Sequence, residues 1–280
     1  MRNRIFLRLI RRDTKEVFRK NLIFIVFLII FLFMENMNLR NTFTDMGYSV
    51  KDIGIFDFYV YLFRGMKVYT PEIGGRFEIE MDWLILQIFP VLIVISYLKS
   101  DLYQMGYQTL IKAGSRKLWW NEKCLWICEF VLMIYGIIYA FGFINYYGCR
   151  NTINKSLWEE SYGIIFKNCS HMDFIMMFVI SQILNAMFMT LFISLISITV
   201  NEIIAIVVCV FINVITLYYT TPYLLGNNTM ILRNSICIMG KININHCYII
   251  YCILVVLAIV TGNIYIEKCD FRNAETRTRE

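Results

Sequence analysis

Long runs without charge, broken by short polar and charged stretches, are the dominant pattern along this chain. An unbroken apolar core from Leu22 to Met34 predicts a helix over 21–39, with Glu35 at its far interface. Comparable runs predict helices over 83–98 (kinked at Pro90), 124–147, 174–200, 203–219 and 247–266. Each is near the roughly 20 residues that a hydrocarbon core of about 30 Å requires. The runs are continuous and do not alternate at period two, so they read as helices and not as strands of a membrane barrel. Only Asn201 and Glu202 separate the fourth run from the fifth, which makes these two a tight hairpin. The expected fold is all-α: a polytopic membrane protein with six transmembrane helices.

Composition agrees with this pattern. Of 280 residues, 58% are hydrophobic and 17% charged, and the mean hydropathy is +0.57, too apolar for a soluble domain. Lys and Arg then orient the spans, because basic segments stay on the cytoplasmic side. With the N-terminus inside, the inner segments hold 17 of the 27 and the outer segments 10, so both termini are expected in the cytoplasm. The net charge of +6 calls for no nucleic acid, since residues 1–20 alone carry eight bases against Asp13 and Glu16. Ile5, Phe6, Leu9, Ile10, Val17 and Phe18 recur among those bases at near-helical spacing, which predicts an N-terminal interfacial amphipathic helix over 1–20, ahead of a transmembrane domain over 21–280. A plain basic topogenic tail is the alternative. A cleaved signal peptide is not indicated, because no small-residue cleavage site follows the apolar core.

Candidate chemistry is sparse. Five of the 9 cysteines (Cys124, Cys128, Cys209, Cys247, Cys252) fall in or at the ends of spans, where a thiol acts as a small hydrophobe. Cys149 and Cys169 flank one outer loop and form a disulfide if that side is oxidising; two free thiols are the alternative. His171 and His246 are the two histidines and belong to no metal-binding pattern, so no metal is expected. Gly240-Lys241 lacks the rest of a nucleotide-binding loop. Glu129 is the one ionisable group within a span, where a carboxylate costs roughly 2.5 to 3.5 kcal/mol unless it reaches a partner or the headgroups. Ser181, Gln182, Asn185, Thr190, Ser194 and Ser197 make the fourth span too polar to face lipid throughout. Glu129, Asn185 and Asn213 of the fifth span are therefore candidates for a translocation path, with helix-to-helix contact as the plainer role. Outside the spans, Phe56 to Phe63 is aromatic enough to lie on the membrane or cap an exit, and part of 220–246, uncharged until Arg233, suits a re-entrant segment.

The most informative stretch is 99–123. Asp101 with Gln104 has the spacing of a helix-starting capping box, Gly114 is a helix stop, and Ser115 can cap the next helix. Arg116, Lys117 and Lys123 with Trp119 and Trp120 then fit a membrane interface. A short helix held between two spans can move both when a partner grips it.

Asp101-Leu102, Gly106, Gln108, Leu110, Gly114-Ser115-Arg116, Trp119-Trp120 and Lys123 together resemble the inner loop of ABC-2 type permeases, most closely those of a Gram-positive bacterial group. The likeness extends upstream through Gly65-Met66-Lys67 and Phe77-Glu78-Ile79. It implies a permease subunit of an ATP-binding cassette exporter in the bacterial plasma membrane, working with a second permease subunit, identical or related, on two separate ATPase subunits. ATP and Mg would belong to that partner, leaving this chain without a cofactor or catalytic residues. By the same resemblance Asp101, Leu102, Gly106, Gln108, Leu110 and Gly114 form the coupling helix that docks on the ATPase, and Ser115, Arg116, Trp119, Trp120 and Lys123 anchor the following span in the membrane. An amphipathic cargo, such as an antimicrobial peptide, is the expectation by analogy. The sequence departs from many such exporters in having no sizeable outer domain. A membrane-embedded peptidase or acyltransferase, or a non-transporting sensor, are the competing readings, the first weakened by the lack of paired histidines and clustered carboxylates in the spans.

Overall fold

The computed structural model describes residues 2–68, 79–104, 115–149, 152–167, 171–238, 240, 242 and 247–268. These residues are helical, with no strand among them beyond two isolated bridges, Phe166 with Cys237 and Asn234 with Ile242. The helices are α1 (Arg2–Asp45), α2 (Ile55–Phe63), α3 (Met81–Gln104), α4 (Arg116–Asn145), α5 (Lys155–Tyr162), α6 (His171–Ile175), α7 (Gln182–Thr199), α8 (Glu202–Tyr218) and α9 (Cys247–Lys268). A π-helical turn over Met176–Ser181 joins α6 to α7 in one continuous rod. Five helical stretches are long and apolar enough to cross a membrane: Leu9–Asp45, Met81–Leu98, Arg116–Asn145, Met172–Thr199 and Tyr248–Lys268. The sixth apolar helix, α8, has 17 residues, about 25 Å at 1.5 Å per residue, short of a core of about 30 Å.

Local chemistry explains where the helices break. In α1 the backbone leaves helical geometry at Asn21 (φ −111°, ψ 21°), so a basic helix and an apolar helix meet there at a kink. Ser115 caps α4 by accepting from the Leu118 N–H at 3.2 Å, and Asn201 caps α8 by accepting from the Ile203 N–H at 3.4 Å. The helix start expected at Asp101 is absent. Helix α3 runs straight through it to Gln104, and the Asp101 carboxylate is satisfied by cations instead of by N–H groups at a helix start.

Helix α7 is the centre of the bundle and touches α3, α4, α8 and α9. Its Gln182, Asn185, Thr190 and Ser194 are all buried, which is why a span so polar can exist in an apolar setting. Thr190 and Ser194 donate to the carbonyls of Ala186 and Thr190 in their own helix. Large apolar side chains instead cover the outside, among them Ile23, Ile30, Phe211, Ile249, Ile253 and Leu257, a surface that suits lipid and would not suit water. Trp120 fixes α4 to α9: its Nε1 donates to the Ile259 carbonyl at 3.1 Å, and its indole fills the notch left by Gly262.

The start of α1, the residues 116–123 and Glu267 share one end of the bundle, here the basic end. The opposite end is closed by a cap built from α2, α5 and the segment that follows α8. Asp57 to Phe63 of α2 are buried within it and do not lie on a membrane surface. The Asp57 carboxylate accepts from the N–H groups of Gly54 (2.8 Å), Asn154 (3.1 Å) and the Trp158 indole (2.7 Å), so α2 and α5 are tied by one buried anion. The 3-10 segment Leu225–Thr229 folds back into the bundle with all five residues buried. Arg233, fully buried, holds that segment down: its guanidinium donates to the carbonyls of Thr216 (2.5 Å) and Leu217 (2.5 Å) at the end of α8, to Met66 (3.0 Å), and to the Asn227 side chain. The last carbonyls of a helix carry partial negative charge and therefore suit a cation without a carboxylate. Burial pushes the Arg233 guanidinium down to about 10, which leaves it charged at neutral pH.

Adding a methyl at position 262 drives it into the Trp120 indole, so Gly262→Ala should lower stability by about 1–3 kcal/mol. Gly136 faces open space on the same bundle, and Gly136→Ala should be neutral or stabilising by up to about 1 kcal/mol. Thermal unfolding of both variants in mild detergent makes the comparison.

Candidate functional site

Three helices meet at the basic end around the ammonium of Lys123. On α1, the face opposite the exposed Arg11, Lys15 and Arg19 is formed by Leu9, Asp13 and Val17, one residue per turn, and all three are buried. Asp13 is thus an acid set in an apolar stripe, carried into the bundle when that stripe packs. Asp101 lies on α3 one turn beyond the buried Tyr97, and Lys123 lies on α4 in line with Trp119 and Trp120. The three polar groups converge because each sits on the buried face of its helix.

The resulting joint is dry and short. Lys123 pairs with Asp13 and lies 2.8 Å from Asp101, with all three side chains at most 1% exposed. Arg12 contributes from the rim, 2.6 Å from the same Asp13 carboxylate and 3.2 Å from Asp101. Glu122, also fully buried, lies 3.7 Å from Lys123. Aromatic faces complete the enclosure, with the Lys123 ammonium 5.3 Å from the Tyr97 ring and 5.8 Å from Trp119. A buried pair of this kind contributes little net stability against an apolar replacement, but breaking one side of it is costly, so its value lies in fixing which helices meet and how.

This geometry changes several sequence-based assignments. The expected membrane-anchor motif resolves into two groups. Ser115, Arg116 and Lys117 are exposed, with Lys117 paired to Glu267 at 2.8 Å and Arg116 donating to the Glu267 carbonyl. Trp119, Trp120 and Lys123 are fully buried, with Trp120 bonded to α9 and Lys123 paired with the two aspartates. The amphipathic helix over 1–20 likewise turns Leu9 and Val17 toward protein, where lipid was expected. Of the docking residues, Asp101 is sealed in the joint; the side chain of Leu102 and the positions Gly106, Gln108, Leu110 and Gly114 lie outside the described residues.

The three path candidates do not come together. Asn185 is buried and donates to Gln87 on α3 at 2.8 Å, while Tyr251 on α9 donates to it at 3.4 Å. Around it, Gln182 donates to the Thr229 carbonyl (2.7 Å) and Trp83 to the Thr229 hydroxyl (2.9 Å), so the folded-back segment fills the space between the helices. Asn213 is buried and satisfied by the Cys209 carbonyl of its own helix at 2.9 Å. Glu129 points the other way, exposed on α4 between the exposed Leu125 and Leu132. Cys149 is half-buried against the core with a free thiol, and Cys169 lies outside the described residues. No cluster of metal-ligating side chains occurs among the described residues.

Comparison with family models, with curated proteins and with solved structures gives no match to this chain.

Lys123→Met removes the only buried cation of the joint while leaving Asp13 and Asp101 in place. The expected loss is about 3–5 kcal/mol, read as a lower unfolding temperature in detergent. Lys117→Met, which touches only an exposed pair, should cost no more than about 1 kcal/mol.

Proposed function

We propose that this chain is the permease subunit of an ATP-binding cassette exporter, with the basic end in the cytoplasm, six crossings, and ATP hydrolysed by a separate subunit. The observation that carries this reading is that the two helices flanking residues 105–114 in the sequence are pinned to each other at one buried point. Asp101 stands in the last turn of α3 and Lys123 about two turns into α4, and the two side chains are 2.8 Å apart. A force applied between the two helices therefore reaches α3, α4 and, through Asp13, the N-terminal helix together. That is the mechanical property a coupling element needs, and it accompanies the loop residues that resemble ABC-2 permeases.

In this reading the exposed apolar girdle meets lipid of the bacterial plasma membrane, and the α8 hairpin completes the sixth crossing with a locally thinned bilayer. The chain itself makes no covalent bond: it binds and moves an amphipathic cargo, such as a membrane-active peptide, while the partner supplies the ATP cycle. A second permease subunit completes the translocation route, which agrees with a single chain whose interior is filled by Thr229, Gln87 and Asn185.

Affinity purification of the full chain from its native membranes in mild detergent should recover an ATP-binding cassette ATPase, and Leu110→Asp combined with Gly114→Asp should abolish that recovery while leaving the permease folded. Purification without any ATPase, or association that survives the double substitution, would overturn the proposal.

A further inference from the structure

Among the described residues, the charges in the basic-end joint do not balance. Two cations, Arg12 and Lys123, face three carboxylates, Asp13, Asp101 and Glu122. Glu122 is the odd one. It is fully buried, and neither of its oxygens accepts a hydrogen bond among the described residues. Its nearest cation, Lys123, is at 3.7 Å and is already engaged by two aspartates at closer range. Its carboxyl and that of Asp13 both approach the one Lys123 ammonium, and two ionised carboxylates gathered there cannot satisfy each other, since each can only accept.

Among the described residues, the charged groups that act on it are Asp13 from α1, Asp101 from α3 and Lys123 beside it on α4, with the thiol of Cys124 nearby. Helix α7 carries no ionisable side chain over Gln182–Thr199, and Glu267 on α9 is occupied by the exposed Lys117. A buried carboxylate without a partner takes up a proton before it remains as an isolated charge.

We propose that Glu122 and Asp13 form a proton-binding site, a carboxyl–carboxylate pair in which one proton, taken from solvent, resides on Glu122 and is donated to Asp13. The proton satisfies the otherwise unpartnered Glu122 carboxyl, gives Asp13 a further donor, and leaves the joint neutral, with two cations and two anions. The site lies where the N-terminal helix meets α4, so the proton is part of what holds that helix to the bundle. This inference concerns the chain alone and does not depend on the transporter reading.

Infrared spectroscopy of the purified full chain in lipid nanodiscs near neutral pH tests it, through the carbonyl stretch of a neutral carboxylic acid. The spectrum of the native chain minus that of Glu122→Gln should show one such band, equivalent to one group per chain. Asp13→Asn should also lose the band, because removing one anion leaves two cations facing Asp101 and an ionised Glu122, to which the new amide can donate. If native chain and Glu122→Gln absorb alike, Glu122 is ionised and the proposal falls. If the band survives in Asp13→Asn, the proton does not belong to the pair, and the proposal falls as well. Glutamine copies the neutral acid in shape and hydrogen bonding, so a Glu122→Gln chain that fails to fold, by circular dichroism, would mean that the ionised form is required and would equally overturn it.

Discussion

A single buried ammonium sets how three helices meet at the basic end of the bundle. Lys123 is drawn into a dry pocket by the packing of α4, and it can stay there only if carboxylates from other helices come to it. Asp13 and Asp101 meet that requirement, and in doing so they fix the N-terminal helix and the lower end of α3 against α4. Apolar packing alone would let these helices slide along one another at small cost, because one aliphatic contact is much like the next. A charge that must find its partner within a few ångströms removes that freedom, and buried polar groups are best attested in this registry role.

The far end of the molecule solves a related problem with different chemistry. Asp57 and Arg233 are both buried, and both are held by backbone groups. Asp57 takes three N–H donors, and Arg233 takes the terminal carbonyls of α8. Backbone dipoles here do the work that side-chain charges do at the basic end. At the cap a carboxylate gathers N–H donors and a guanidinium gathers carbonyls, whereas at the basic end carboxylates gather around cations. The two ends of one bundle thus differ in the kind of partner a buried charge takes, although both are closed and both are packed with aromatic residues.

Much of this was legible in the chain once the buried faces are traced. The spans are fixed by uncharged length, and the polar content of 174–200 already requires a central position. The face of residues 9–17 holds a sharper signal: Leu9, Asp13 and Val17 recur once per turn, so an acid stands in a stripe that is otherwise apolar. Such a residue demands a buried cation, and Lys123, in helical phase with Trp119 and Trp120, was available to supply it. Reading those bases and aromatics as anchors for headgroups overlooked that phase. In the same way, Asp101 has capping-box spacing with Gln104, but its distance from Tyr97 places it on the inner face of a continuing helix.

Helical structure, an apolar exterior and a strongly basic first segment all follow from local periodicity, backbone hydrogen bonding and composition. Which polar groups became partners followed from packing. Asn185 found Gln87 and Tyr251, Glu129 was left on the outer surface, and Arg233 settled on α8 carbonyls. Partner choice joins residues up to 167 positions apart, and it rests on the angular phase of several helices at once. One helix's sequence specifies its own buried face, but the group that waits opposite that face is specified only when the helices pack.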